Sequence, residues 1–201
     1  MIDSLPKEVR DAADVSAVTL SRDLGLWEQM RDCFHDDSVG RISFINASGP
    51  EFVRRSKEMA ERNVKASHRL GPIFVTLAGD RAIAQLAAII DIPFTLKGTE
   101  VMVSSHARLL IRTERREGVW RLCGFDVVYL RDEMTAVIPG QTIAVDPKAV
   151  KGFRPTYRLL SYCLSSNGFP VRNDLAGVDR PDLVNALTDE IYSWAGLTPP
   201  H

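Results

Sequence analysis

Over residues 13–34 the apolar positions Val15, Val18, Leu24, Trp27, Met30 and Phe34 fall mostly on one helical stripe. Gly25 interrupts the stripe, so the pattern predicts two helices meeting near Asp23–Gly25, with His35-Asp36-Asp37 closing the segment. Residues 39–45, V-G-R-I-S-F-I, alternate and predict a short strand. Ser48-Gly49-Pro50-Glu51 then supplies a serine N-cap, a first-turn proline and a glutamate at the third helical position. That helix is expected to run to about Asn63, with Phe52, Met59 and Val53 inward and a charged opposite side.

Four strand-like runs follow at about 68–77, 82–95, 100–113 and 119–131. Their connections, Ala78-Gly79-Asp80-Arg81, Lys97-Gly98-Thr99 and Arg115-Arg116-Glu117-Gly118, are short and contain glycine, which predicts antiparallel hairpins. Helices followed by a long meander make an α+β pattern, with helices packed on one face of a curved sheet. Residues 135–150 read as a loop around Pro139-Gly140 and Asp146-Pro147. After a segment at 153–164 and a turn at Asn167-Gly168, a last helix opens at Asp179-Arg180-Pro181 and stops near Gly196. Its stripe of Leu183, Val184, Leu187, Ile191 and Trp194 needs a partner surface, either the pocket of its own chain or a neighbour. Residues 1–12 read as a lead-in arm.

With 201 residues the chain has the length of a domain with a proper core. A formal charge of −1 gives no reason to expect nucleic acid or a membrane surface as partner. Cys33, Cys123 and Cys163 show neither zinc spacing nor a disulfide framework and read as small buried hydrophobes. The first residues lack a basic segment followed by an apolar run, and the longest apolar run, 86–90, is too short to span a bilayer. A cytoplasmic location is the expectation.

The candidate chemistry centres on His68, which stands at the mouth of an apolar strand just before the Ala-Gly-Asp-Arg turn. The run R-D-L-G-L-W-E-Q-M-R-D-C-F-H-D-D at 22–37 resembles the opening of the SnoaL-like proteins, of the nuclear-transport-factor-two-like (cystatin-like cone) superfamily. S-H-R-L-G … L-A-G-D-R-A at 67–82 resembles that family's histidine strand and glycine-aspartate turn, and E-R-R-E-G-V-W-R-L at 114–122 resembles its tryptophan hairpin. The resemblance covers roughly residues 10–135. It implies a cone domain over 1–135, a mostly antiparallel curved sheet wrapped around N-terminal helices with an internal pocket. Residues 136–201 would be a C-terminal extension packed on the same domain or on a neighbouring subunit.

In the dehydratase and dehydrochlorinase branch of that family a histidine–aspartate pair does the chemistry. The resemblance places His68 as the base and Asp23, four residues before Trp27, as its orienter. The branch's further polar groups are replaced here by Val18 and Phe125. With Val127 and Tyr129, which share a strand face with Phe125, these become candidate substrate-binding residues, a bulge being able to flip that parity. Histidine suits proton abstraction near neutral pH, and a carboxylate on the far ring nitrogen fixes its tautomer. No cofactor or metal is signalled. The implied function is a cofactor-independent lyase or isomerase acting on a small aromatic, steroid-like or polyketide-like substrate, in a homodimer or homotrimer. A non-catalytic binding or accessory subunit stays open beside it. Asp91 is expected almost opposite His68, pairing with it or with an arginine. Asp126 is a third site residue or an outward partner of Arg108, Arg112 or Arg121. His106 is structural or at the pocket rim, and Trp27 and Trp120 read as core.

Overall fold

A computed structural model describes residues 6, 7 and 16–200. The rest of the lead-in arm and the first turn of the expected helix, with Val15, lie outside the described residues. Two short helices, α1 (Ser16–Leu24) and α2 (Trp27–Asp32), are separated at Gly25. Its φ of 72° is a left-handed conformation open to glycine and strained for other residues. Helix α3 (Gly49–Glu61) starts as expected, with Ser48 accepting from the Glu51 amide and Pro50 in the first turn. These helices lie on one face of a seven-stranded sheet ordered β2-β1-β7-β6-β5-β3, with β4 beside β3 on the same edge of β5.

The strands are β1 (Phe34–Ile42), β2 (Ile45–Ser48), β3 (Ser67–Leu70), β4 (Phe74–Ala78), β5 (Arg81–Leu96), β6 (Thr99–Arg116) and β7 (Val119–Ala136). β5, β6 and β7 form the expected antiparallel meander, and β1 joins β7 in parallel. Apart from shifted strand ends, of which the largest carries β7 on to Ala136, three stretches differ from the sequence reading. His35-Asp36-Asp37 belongs to β1, because Phe34 pairs the chain to Leu122 of β7 and the buried His35 ring bonds the Glu114 carbonyl of β6, rather than releasing it. The alternating run at 39–45 crosses a tight turn at Ser43–Phe44, and alternation alone cannot tell a strand from a strand that reverses. The run at 68–77 is two strands. Pro72 has no amide to give a ladder, and the Gly71 amide bonds the Ala87 carbonyl at 2.8 Å as the edge bends.

β7 carries an extra residue at two places, Cys123 and Leu130, where its register to β6 shifts. The bulges flank the segment between them, so Phe125, Val127 and Tyr129 keep one common face. That face looks inward with Leu86 and Ala88 of β5 and Leu109 and Ile111 of β6, and packs on Val18, Met30, Phe52 and Met59 of the helices. Burial of this face is the main source of stabilisation, at roughly 25 cal/mol per Å² of apolar surface removed from water.

The C-terminal stretch of the chain uses both faces. The expected loop at 135–150 runs into a short helix, α4 (Pro147–Lys151), because Asp146 caps it by accepting from the Lys148 amide and Pro147 fits the first turn. A 3₁₀ turn (Pro155–Tyr157) and α5 (Arg158–Ser166) close the inner side, where Tyr157, Leu160 and Leu164 join the core. Helix α6 (Pro181–Ala195) lies on the outer face, with Ile191, Tyr192 and Ala195 against Ile83, Leu110 and Val128. The helix stripe is therefore covered by its own sheet, away from the pocket. Trp27 packs against the core. Trp120, expected in the core, is half-buried near the hairpin tip with the Arg115 guanidinium 5.6 Å from its ring. No helix among the described residues is long and apolar enough to cross a membrane.

Candidate active site

His68 is the second residue of β3, and its cross-strand partner is Ile90 of β5, which in turn faces Ser105 of β6. These side chains form one row across the inner face. Asp23 is the last residue but one of α1, beside the Gly25 break, with its side chain toward β3. One carboxylate oxygen, Oδ2, accepts the His68 backbone amide at 2.9 Å, while Oδ1 lies 2.7 Å from ring Nδ1. A carboxylate oxygen only accepts here, so Nδ1 carries the proton and the Nε2 lone pair is left for the other side of the ring. The His68 side chain is 7% exposed and that of Asp23 20%. Burial lowers the His68 pKa below its ordinary 6.5. The Asp23 hydrogen bond opposes that shift, and the nearby Arg22 charge adds to it.

The ring opens on a cavity of about 60 Å³. Val18 of α1, Phe52 of α3, Ile90, Leu109, Phe125, Val127 and Leu160 give it an apolar wall, and Tyr129 and Ser105 bring hydroxyls. Five of the six sequence-derived site residues, His68, Val18, Phe125, Val127 and Tyr129, therefore meet in one lining. Asp23 stands behind the ring, on an adjoining groove of about 270 Å³ that also holds Trp27, Ser56 and Lys65. The Tyr129 hydroxyl accepts the Ser43 amide at 2.9 Å, and burial raises its pKa to about 12, so it stays protonated. Organic-ligand pockets commonly measure about 300 Å³ or more. A guest of that size must displace side chains.

Among the lining residues not singled out from the sequence, Arg22 and Ser105 bear most on the chemistry. Arg22 places Nη1 3.4 Å from His68 Nε2 and Nη2 3.7 Å from Met59 Sδ. Its helical position was a signal: it follows Val18 by four, so a cavity-facing Val18 carries Arg22 to the same side. Ser105 is 1% exposed, and its hydroxyl has no hydrogen-bond partner among the described residues. Nothing in its local sequence, V-S-S-H-A, distinguishes it from Ser104 until the strand parity is known.

The other candidates lie elsewhere. Asp91 is paired with Ser67, one residue off His68, and therefore projects from the outer face. There it binds Arg69 at 2.7 Å and Ser104 at 2.5 Å. Asp126 is 1% exposed under α6, salt-bridged to Arg41 and, at 3.4 Å, to Arg112. It is thus an outer-face residue that α6 buries, and Arg41 was not among its expected partners. His106 is on the outer face too, 3.1 Å from Glu133. Among the described residues no group of three or more His, Cys, Asp or Glu side chains is placed to hold a metal. The three cysteines are free thiols; Cys163 is buried, whereas Cys33 and Cys123 are only partly so.

The comparisons with known proteins agree with this architecture. Pea pathogenicity protein 2 of Fusarium vanettenii is 26% identical over 168 residues, covering 79% of this chain and 70% of that one. Among solved structures, a candidate scytalone dehydratase from Novosphingobium aromaticivorans superposes with a TM-score of 0.51 at 11% identity, covering 69% of this chain and 91% of that one. A hexachlorocyclohexane dehydrochlorinase from Novosphingobium barchaimii gives 0.52 at 14% identity, covering 70% and 93%. At such identities the likeness is one of fold. The SnoaL-like domain family matches residues 8–126, the stretch that supplies α1 to the first part of β7 and most of the cavity wall, and the chain belongs to that family.

Proposed function

We propose that the chain is a lyase or isomerase that starts its reaction by moving a proton from carbon to His68. The observation that carries this is the 2.7 Å contact between His68 Nδ1 and Asp23 Oδ1, with the other edge of the ring facing an apolar cavity. In that arrangement Asp23 holds the tautomer and balances the imidazolium once Nε2 is protonated. The apolar wall strengthens both effects by excluding water. The Tyr129 hydroxyl, kept protonated, is a donor for a polar atom of the guest. Ser105 is a second one, about two strand spacings, roughly 10 Å, across the sheet from His68. Such chemistry draws on side chains alone. It suits small aromatic, steroid-like or polyketide-like molecules carrying an acidic carbon, and a homodimer or homotrimer is part of the same proposal.

The test is a screen of hydroxylated aromatic and steroid-like compounds with the wild type and His68→Ala. The substitution is expected to lower turnover by about a hundred- to ten-thousand-fold, the usual contribution of a general base. Turnover that survives it removes His68 from the chemistry. The small volume of about 60 Å³ favours a second reading, a non-catalytic binding or accessory subunit. In that case ligands from the screen bind both proteins equally and neither turns them over.

A further inference from the structure

Among the described residues no carboxylate lies within salt-bridge distance of Arg22; its contacts are the neutral edge of His68 at 3.4 Å and the Met59 thioether at 3.7 Å. The adjacent carboxylate, Asp23, spends both oxygens on His68. The residue keeps some exposed surface, but its charged end lies deep enough that desolvation lowers its pKa. A guanidinium left in an apolar wall with such weak acceptors is costly unless something else pairs with it. Arg22 also lines both the cavity and the adjoining groove, so it forms part of the partition between them.

We propose that Arg22 receives the oxygen of an enolisable carbonyl compound and holds the negative charge that develops there when His68 takes the α-proton. This rests on the reading of His68 as the base. The charges argue for it. At rest the site holds one carboxylate, one guanidinium and a neutral imidazole, and sums to zero. When His68 Nε2 takes the proton, the C–H bond breaks. Its electron pair forms a carbon–carbon double bond and the carbonyl π pair moves to oxygen. The protein then carries one net positive charge and the guest one negative charge, and Arg22 is the cation beside the reacting nitrogen. A permanently anionic carboxylate fits less well. It would neutralise Arg22 from the outset, leave Asp23 as the excess charge, and favour a protonated His68 that cannot act as base. The carbonyl oxygen also draws Arg22 off Nε2, which frees the lone pair and parts the cavity from the groove less completely, giving a ring room to enter.

Two measurements judge Arg22 and His68 separately. In the first, 4-nitrophenol serves as a stable mimic of the enolate, and its absorbance is read well below the pKa of the free phenol. The expected result is a bound phenolate band, an apparent pKa lowered by about one unit or more, in the wild type and in Arg22→Lys, and loss of the band in Arg22→Gln. Arg22→Lys keeps the charge and so guards against a mere folding defect in Arg22→Gln. A wild type that binds only the neutral phenol or none, or an unchanged band in Arg22→Gln, overturns the proposal. In the second, exchange of the α-protons of 2-tetralone for deuterium is followed by proton NMR. Loss of exchange in His68→Ala with a drop of about a hundred-fold in Arg22→Gln supports both assignments. Loss in His68→Ala with full exchange in Arg22→Gln keeps the base and overturns the role of Arg22. Exchange indifferent to His68→Ala overturns the base, and the phenol measurement then decides Arg22.

Discussion

At the residue scale the proposed chemistry depends on which nitrogen of His68 holds the proton. Replacing Asp23 by Asn keeps the shape but offers an amide that cannot accept from both the ring and the backbone N–H. The expected outcome is a fall in kcat of about a hundred-fold or more with the fold retained, read by steady-state kinetics beside circular dichroism. The pH dependence has a definite sign. The folded-state pKa of His68 is below 6.5, so the neutral base persists as pH falls past that value, and the acid limb of the rate profile should lie lower than for an ordinary histidine. Arg22→Gln removes one of the causes of that lowering and should move the limb upward. For stability, the unfolded ring binds more protons than the folded one between the two pKa values. The contribution is therefore complete above 6.5 and is lost as pH falls through the folded value. The contact of His68 with Asp23 was legible because a histidine before a glycine-aspartate turn and an aspartate four before a tryptophan form a spaced pattern. Arg22 and Ser105 were not, since an arginine beside an aspartate and one serine of a pair look like surface until the backbone sets their direction.

At the scale of elements, α6 is the part that sequence placed least well. Its stripe announced burial, but a stripe does not name its partner. The pairing is decided by the sheet's outer face, where Ile83, Leu110 and Val128 alternate with inward residues. Charges fix the same contact: Arg41 bridges buried Asp126 to Glu190 of α6 at 2.8 Å. Arg41→Ala leaves Asp126 to Arg112 alone, and should lower the unfolding free energy by on the order of 2 kcal/mol in urea denaturation, with Asp126→Asn in that background recovering part of it. No change in the urea midpoint would mean that α6 is held by its apolar contacts alone. The three long strands of the meander and the hairpins joining them were readable from alternation and glycine. The turn at Ser43–Phe44 and the bend at Gly71–Pro72 were not, because both keep a strand-like polarity pattern through a change of direction.

For the whole molecule, one face of the sheet makes the cavity and the other is partly occupied by α6. A homodimer or homotrimer formed through the sheet would have to use the rest of that outer face, where Asp91 accepts from Arg69 and Ser104 and His106 bonds Glu133, or else the exposed apolar residues Phe74 and Leu77 of β4. Sedimentation equilibrium of the purified chain should give two or three times its 22.4 kDa; a single species of that mass would dismiss the proposed oligomer. The fold class was legible because helices preceding a glycine-punctuated meander admit few packings. The size of the cavity was not, since it depends on how far Arg22 and the α5 residue Leu160 reach into it.

The most direct measurement is nitrogen-15 NMR of the His68 ring in the free protein, titrated from neutral pH downward, with His68→Ala used to assign the signals. The expected result is a neutral ring protonated on Nδ1, with an unprotonated Nε2, that persists below pH 6.5. A ring protonated on Nε2, or an imidazolium already present at neutral pH, would contradict a base held ready by Asp23.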